Sequence, residues 1–402
     1  MRDHQLRPAA PMWPDIPAPA APGHPHHADG FQPALSGHGW GPVRAGHPRL
    51  DVGLRAVERR DTGPGSFPGG WQRPPGPGGS DGGPLGPAGG RGPDGEPRFD
   101  QTVPGGGYLW WYVDALSDDG RFGLSIIAFV GSVFSPYYAW ARRRGPTDPD
   151  NFCALNVALY SAGARRWSMT ERGAPHNRRD ATHFKIGPSQ LEWHGDALTI
   201  HIDEVGVPIP RRIRGTVKLR THQLFKFSTA LDDAGRHRWG PIAPHARVEV
   251  KLQHPEQRWS GHAYLDSNEG DEPLERAFTE WDWSRSAMKD GSTAVLYDVE
   301  PGKARGKLLA LRFGRHGSVQ PFEAPPLQTL PRTAWRIERR MRSDSRVRVT
   351  QQLEDTPFYQ RAILQSSLLG ESVSSFHETL RVPRLVSPLV QVMLPWRMPR
   401  RG

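Results

Sequence analysis

A chain of 402 residues has room for two to three domains. Its 52 Lys and Arg against 42 Asp and Glu leave a net charge of +10, which points to a polyanionic partner, either nucleic acid or an anionic membrane surface. A single cysteine, Cys153, excludes an intramolecular disulfide, fits a reducing compartment and reads as a small buried hydrophobe.

Roughly 40 of the first 100 residues are Gly or Pro, about half of the 45 Gly and 41 Pro in the chain. Such a segment buries too little apolar surface to offset chain entropy, so residues 1–97 read as a disordered, low-complexity extension. His24, His26 and His27 lie in it as a weak metal-binding possibility, and the opening segment lacks the apolar core of a secretory signal.

From residue 105 onward, turn signals such as DDGR (118–121), HGDA (194–197), DDAG (232–235) and KDGS (289–292) punctuate short β-rich runs. Among these runs are ALTIHIDEVG, RIRGTVKLR, ARVEVKLQ and KLLALRFG. The ordered part is therefore expected to be all-β, a sandwich or barrel class, with one short helical candidate near 271–279. FGLSIIAFVGSVF (122–134) is too short to span a bilayer and reads as a buried strand.

Two halves repeat faintly. WWYVDALSDDGRFGLSI (110–126) and WDWSRSAMKDGSTAVLY (281–297) superpose at an offset of 171, with Trp110 on Trp281, Tyr112 on Trp283 and Asp119–Gly120 on Asp290–Gly291. Two related β-barrels in tandem would produce this, the first over 98–238 and the second over 239–395.

Two residue pairs carry the chemistry. His237 and Trp239 are spaced i, i+2, as are Tyr264 and Asp266. On a strand each pair points to one face. A carboxylic acid among aromatic rings suits protonation of a carbon–carbon double bond. Asp266 is the expected acid, because a carboxyl in an apolar setting stays protonated near neutrality. Trp239 and Tyr264 would face the resulting cation. His237 would orient and deprotonate the incoming water, or hydrogen-bond Asp266. Asp114, on the Trp110 and Tyr112 face by parity, is the second choice for the acid, and Glu171 is expected to cap or to pair with Arg172 or Arg166. DSNEGD (266–271) departs from a calcium loop at Gly270. No metal, nucleotide or serine-hydrolase motif occurs in an ordered context.

Toward the C-terminus, 332–355 reads as a half-buried strand, with Trp335, Ile337, Arg339 and Met341 on one face and Glu338, Arg340 and Arg342 on a basic outer face. That pattern, and the lack of a nucleic-acid signature, favours a membrane surface over nucleic acid. LVSPLVQVMLPW (385–396), flanked by Arg384, Arg397, Arg400 and Arg401, reads as a closing strand or a membrane-contacting tail, its two prolines arguing against a helix.

The strings GGYLWWYVDALSDDGRFGLSIIAFVGSVFSPYYAWARRRG, CALNVALYS, RRWSMTERG, LDSNEGDEPLE and FTEWDWSR, with the two pairs, resemble the acyclic carotenoid 1,2-hydratase (hydroxyneurosporene synthase) family of purple phototrophic bacteria. The resemblance covers about residues 98–395. It implies two tandem lipocalin-like β-barrels, with Asp266, His237, Tyr264 and Trp239 as the catalytic set at their junction. It implies cofactor-independent addition of water across the terminal C1–C2 double bond of neurosporene, lycopene or their 1-hydroxy derivatives, towards spheroidene or spirilloxanthin. The partners expected are an acyclic carotenoid substrate, an anionic membrane surface and other carotenoid biosynthesis enzymes, with no nucleic acid and no metal. The site of action expected is the cytoplasmic side of the intracytoplasmic or plasma membrane, as a peripheral protein. The other class of function that fits these residues is a non-catalytic carotenoid or lipid carrier.

Overall fold

The computed structural model describes residues 89–161, 165–301 and 306–402. Residues 1–88, with His24, His26 and His27, lie outside the described residues. The remainder of the expected extension is ordered. Arg91 forms a β-bridge to Pro97, and its buried guanidinium donates to the Phe227 and Gly240 carbonyls and to Ser267 Oγ. A Gly/Pro-rich stretch is thus held by one buried arginine that satisfies strand carbonyls.

Twelve strands run from the N-terminal side to Gly270. They are β1 (Tyr108–Ser117), β2 (Phe122–Val130), β3 (Cys153–Ser161), β4 (Arg166–Arg172), β5 (Asn177–Arg179) and β6 (His183–Ile186). Then come β7 (Ser189–His194), β8 (Ala197–Val205), β9 (Arg212–Thr221), β10 (Thr229–Ala230), β11 (His237–His254) and β12 (Glu256–Gly270). A second group follows: β13 (Phe278–Ala287), β14 (Thr293–Pro301), β15 (Lys307–Phe313), β16 (Val319–Pro321), β17 (Leu327–Thr329), β18 (Arg340–Arg342), β19 (Arg348–Asp355), β20 (Tyr359–Leu368) and β21 (Glu371–Arg381). A last short strand, β22 (Arg400–Arg401), pairs parallel with β4.

The first sheet has the order β22-β4-β3-β2-β1-β12-β11-β9-β8-β7-β6-β5, with β10 added to β11. It curls until β4 meets β8, where Val207 N–H donates to the Trp167 carbonyl and Arg172 pairs with Glu204. The enclosed core holds Trp111, Val113, Ile126, Val157, Ile200 and Val217. The second sheet has the order β16-β15-β14-β13-β21-β20-β19, and β17 with β18 forms a separate pair. The protein is all-β, with two lipocalin-like curled sheets in tandem.

Central strands explain the sequence pattern. β1 and β2 are buried on both faces, so WWYVDAL and LSIIAFV read as apolar runs rather than alternations. One face lines the first core; the other packs on the second sheet through Trp110, Tyr112, Tyr264, Trp283, Tyr297 and Phe376. β8 and β9 expose one face and alternate accordingly.

The boundary expected at 238/239 falls at the start of β11, inside the first sheet. β11 pairs with β9 and β12, and β12 pairs with β1, so the change of sheet comes between Gly270 and Phe278. The helical candidate near 271–279 is a single 3₁₀ turn, Leu274–Arg276. The strand expected across 332–355 is interrupted: a turn at Thr333–Ile337 precedes β18, and β19 starts only at Arg348. The basic outer face expected there is spent on ion pairs, Arg340 with Glu280, Asp282 and Glu300, and Arg342 with Asp298. Helices appear where the prolines argued against them. After α1 (Pro136–Arg142), the chain forms α2 (Val382–Leu385) and α3 (Pro388–Arg397). Pro388 sits in the first turn, where a missing N–H costs nothing, and Pro395 falls in the last turn.

The repeat at offset 171 places facing residues in contact. Tyr112 meets Trp283 edge-on at 5.6 Å, and Asp114 pairs with Arg285 through both oxygens. Both members of that ion pair are buried. Replacing Arg285 by Met is expected to destabilise the fold by about 3–5 kcal/mol, because Asp114 is left as an uncompensated buried charge. The double change Asp114→Leu with Arg285→Met should recover most of the loss. Chemical denaturation of the wild type and the two variants checks this, and equal losses in the single and double variants would contradict it.

Candidate active site

The β12 register sets the site. Tyr264, Asp266 and Asn268 share the face turned to the second sheet, with Tyr112 of β1 opposite Asp266. On the other side of β12, Trp239 lies opposite Asn268, and two irregularities in β11 follow at Pro241–Ala243 and Ala243–Ala246. The i, i+2 spacing thus does bring Trp239, Tyr264 and Asp266 together.

Asp266 is 3 % exposed. Its Oδ2 accepts two hydrogen bonds, from Trp239 Nε1 at 2.8 Å and from the Tyr264 hydroxyl at 2.9 Å. Its Oδ1 is buried without a hydrogen-bond partner among the described residues. Burial pushes this carboxyl up to about 7, against the pull of the Trp239 and Tyr264 donors. The two donors fix Oδ2 as the acceptor oxygen, so the proton belongs on Oδ1. The result is a carboxylic acid that keeps its proton up to about neutrality, with its acidic oxygen unpartnered among the described residues. The donors also stabilise the anion left when that proton departs.

Aromatic rings surround the acid. Trp239 meets Tyr297 at 5.5 Å, and Tyr264 meets Trp283 at 5.5 Å.

His237 stands two rows from Asp266 along the same face, opposite Gly270. Gly270 is four residues from Asp266, roughly 13 Å along the strand. The His237 Nδ1 hydrogen-bonds the Tyr108 hydroxyl at 2.8 Å, its ring packs on Phe278, and its Nε2 is buried with no hydrogen-bond partner among the described residues, Glu272 Oε1 standing 3.8 Å away. Burial lowers its pKa, which keeps the ring neutral. The alternative in which His237 hydrogen-bonds Asp266 is therefore corrected: that bond goes to Tyr108.

Asp114 is engaged with Arg285, so it is half of an ion pair rather than a spare acid. Glu171 pairs with Arg400 across the β4–β22 contact, not with Arg172 or Arg166. Residues 266–270 complete β12, which is extended and not a calcium loop. Cys153 is buried as expected. An open cleft of about 650 Å³ lies beyond Tyr108 and Gly270, but Lys226, Arg238, Glu269 and Asp271 line it, which ill suits a hydrocarbon chain.

Some site residues had no signal in the sequence. Glu378 of β21 enters from the second sheet, where its Oε1 accepts from the Tyr112 hydroxyl and from Arg361 Nε, both at 2.7 Å. Arg361 also reaches Glu354, Ser125 and Tyr160. Arg91, read as part of a disordered tail, lies close enough to act on the Asp266 charge.

Tyr264→Phe removes one donor to the anionic form, so the Asp266 titration should move up. A hydrogen bond to a charged group is worth roughly 1.5–3 kcal/mol, so the midpoint should rise by about 1–2 pH units. Infrared spectroscopy of the protonated carboxyl band, with Asp266→Asn as reference, measures it. A midpoint that stays or falls would contradict the assignment.

Comparison with known proteins gives this site its setting. Residues 126–402 match the family model for the carotenoid hydratase CrtC. The acyclic carotenoid 1,2-hydratase of Rubrivivax gelatinosus is 59 % identical over 381 residues, covering 93 % of each chain. That of Thiocapsa roseopersicina is 50 % identical over 400 residues, covering 99 % of this chain and 98 % of its own. Among solved structures, an AttH-like protein from Nitrosomonas europaea matches with a TM-score of 0.51 at 17 % identity, over 68 % of this chain and 92 % of its own, and shares the fold. This chain belongs to the carotenoid hydratase CrtC family.

Proposed function

We propose that Asp266 is the acid that starts the hydration of an acyclic carotenoid. The chain is a carotenoid 1,2-hydratase, a hydro-lyase that adds water across a terminal C1–C2 double bond. The observation that carries the mechanism is the buried Asp266, protonated near neutrality, with one oxygen held and the other unpartnered.

The isoprenoid terminus is a trisubstituted alkene. Asp266 Oδ1 gives its proton to C2, and the π electrons leave a tertiary cation at C1. Trp239, Tyr264, Trp283 and Tyr297 are the rings placed to hold that cation. Water then forms the C1–O bond and sheds a proton, giving the tertiary alcohol. A positioned acid typically contributes about 10²–10⁴-fold, and the rest comes from holding the alkene and stabilising charge. His237 and Tyr108, hydrogen-bonded to each other, extend the same face two rows from Asp266. A carrier would gain nothing from an unpartnered acid in an apolar interface and would bear its desolvation cost.

Net charge and one surface support delivery from a membrane. No helix among the described residues is long and apolar enough to cross a bilayer. On α3, however, Leu389, Val392 and Trp396 are 72 %, 58 % and 64 % exposed and form one stripe, while Val390 and Leu394 are buried on the other side. α3 packs beside α1, which is followed by the exposed Arg143 and Arg144. An apolar stripe bordered by arginines suits insertion into the interface of an anionic bilayer. The protein is read as peripheral on the cytoplasmic face of the membrane that holds its substrate.

Asp266→Asn should cut hydration of lycopene at least about 10²-fold, without loss of fold, in an assay free of cofactor and oxygen. Full activity in this variant would move the acid elsewhere. Leu389→Asp with Trp396→Asp should abolish flotation with anionic vesicles at low salt while sparing hydration of detergent-dispersed carotenoid. Undiminished flotation would reject α3 as the contact.

A further inference from the structure

The faint sequence repeat has a structural counterpart in the site. Tyr112 of β1 and Trp283 of β13 are the matched positions at offset 171. In the first sheet the strand beside β1 is β12, and Tyr112 lies opposite Asp266. In the second sheet the strand beside β13 is β21, and Trp283 lies opposite Glu378. The next matched pair, Asp114 and Arg285, lies opposite Tyr264 and Phe376 in the same way. Glu378 is therefore the counterpart of Asp266 on the facing sheet. Each sheet thus presents a carboxyl at this matched position to the apolar layer between them, beside the Asp114–Arg285 ion pair.

Their partners make the two carboxyls unlike. Asp266 receives only neutral donors, Trp239 and Tyr264. Glu378 sits in an ion pair with Arg361 and receives the Tyr112 hydroxyl. Tyr112 and Tyr264 touch edge-on at 6.3 Å, and both meet Trp283, so the two carboxyl groups border one aromatic cluster. The Glu378 charge is also near enough to push the Asp266 carboxyl up. An arginine-paired carboxylate facing a neutral acid is the division of labour that acid–base addition across a double bond needs.

The geometry points to Glu378 as the base that takes the proton from the attacking water. This rests on the hydratase reading above. Asp266 protonates C2 from the first sheet, and water attacks C1 from the second. As the C1–O bond forms, one O–H bond of that water breaks and its proton passes to Glu378. The Glu378 proton returns to Asp266 through solvent when the alcohol leaves, so each turnover consumes one water and nothing else. Addition then runs from opposite faces of the alkene.

Glu378→Gln tests this in D₂O with lycopene, alongside wild type and Asp266→Asn. Two readings are taken: formation of the alcohol, and wash-in of deuterium at C2 of unreacted substrate, which needs Asp266 to deliver a deuteron, the C2 group of the cation to turn, and Asp266 to retrieve the original proton. The expected result is alcohol formation down about 10²–10⁴-fold with C2 wash-in retained, and both lost in Asp266→Asn. Wild-type hydration by Glu378→Gln overturns the proposal. Loss of both readings in Glu378→Gln also overturns it, because the residue then only supports the site. Absence of alcohol from the wild type would instead overturn the hydratase reading.

Discussion

Everything at this site depends on the desolvation of one carboxyl. The second sheet covers the outer face of the first, and Asp266 is caught between them among indole and phenol rings. Water is removed from the acid, and only two neutral donors replace it. That is why its proton is held at neutrality, and why releasing it to a carbon centre is feasible. The curled first sheet, the long β11–β12 hairpin and the covering second sheet all serve to place and dry this group.

Other carboxyls in the same layer show how partners decide roles. Asp114 has Arg285, and Glu378 has Arg361. Asp282 receives Thr379 and Arg340 and is also pushed up by burial, to about 6, but it lies under the β18 cover and away from the aromatic cluster. Arg91 could have ion-paired with Asp266; instead its guanidinium is spent on two backbone carbonyls and a serine. It acts on the acid only through its charge. A guanidinium directly on Asp266 would have turned the acid into a spectator carboxylate.

Much of this was legible in the chain. Strand spacing alone put Trp239 with His237 and Tyr264 with Asp266 on shared faces, because residues two apart on a strand must share one. The hairpin repeat was visible because Trp, Tyr and Asp-Gly recur at fixed positions. What escaped has physical reasons. His237 shares the face of Asp266, but register, which no local pattern encodes, sets it two rows away. Glu378 lies on β21 where the strand is buried on both faces and its sequence, SFHETL, mixes polar and apolar residues, and its relation to Asp266 exists only through the pairing of β12 with β1 and of β21 with β13. Arg91 was hidden by the Gly/Pro-rich text around it. The C-terminal prolines argued against a helix by composition, whereas Pro388 falls in the first turn, where no N–H is needed, and Pro395, inside the helix, stands only two residues from its end.

The most direct test of the account is the pH dependence of hydration by the wild-type enzyme, measured from about pH 5 to 9 on lycopene in neutral detergent. In the proposed mechanism Asp266 must carry its proton to act, and burial holds that proton until about 7. The rate should be level on the acid side and fall about tenfold per unit above the midpoint. A rate that rises through neutrality would contradict the account, because it would make the ionised carboxylate the active form.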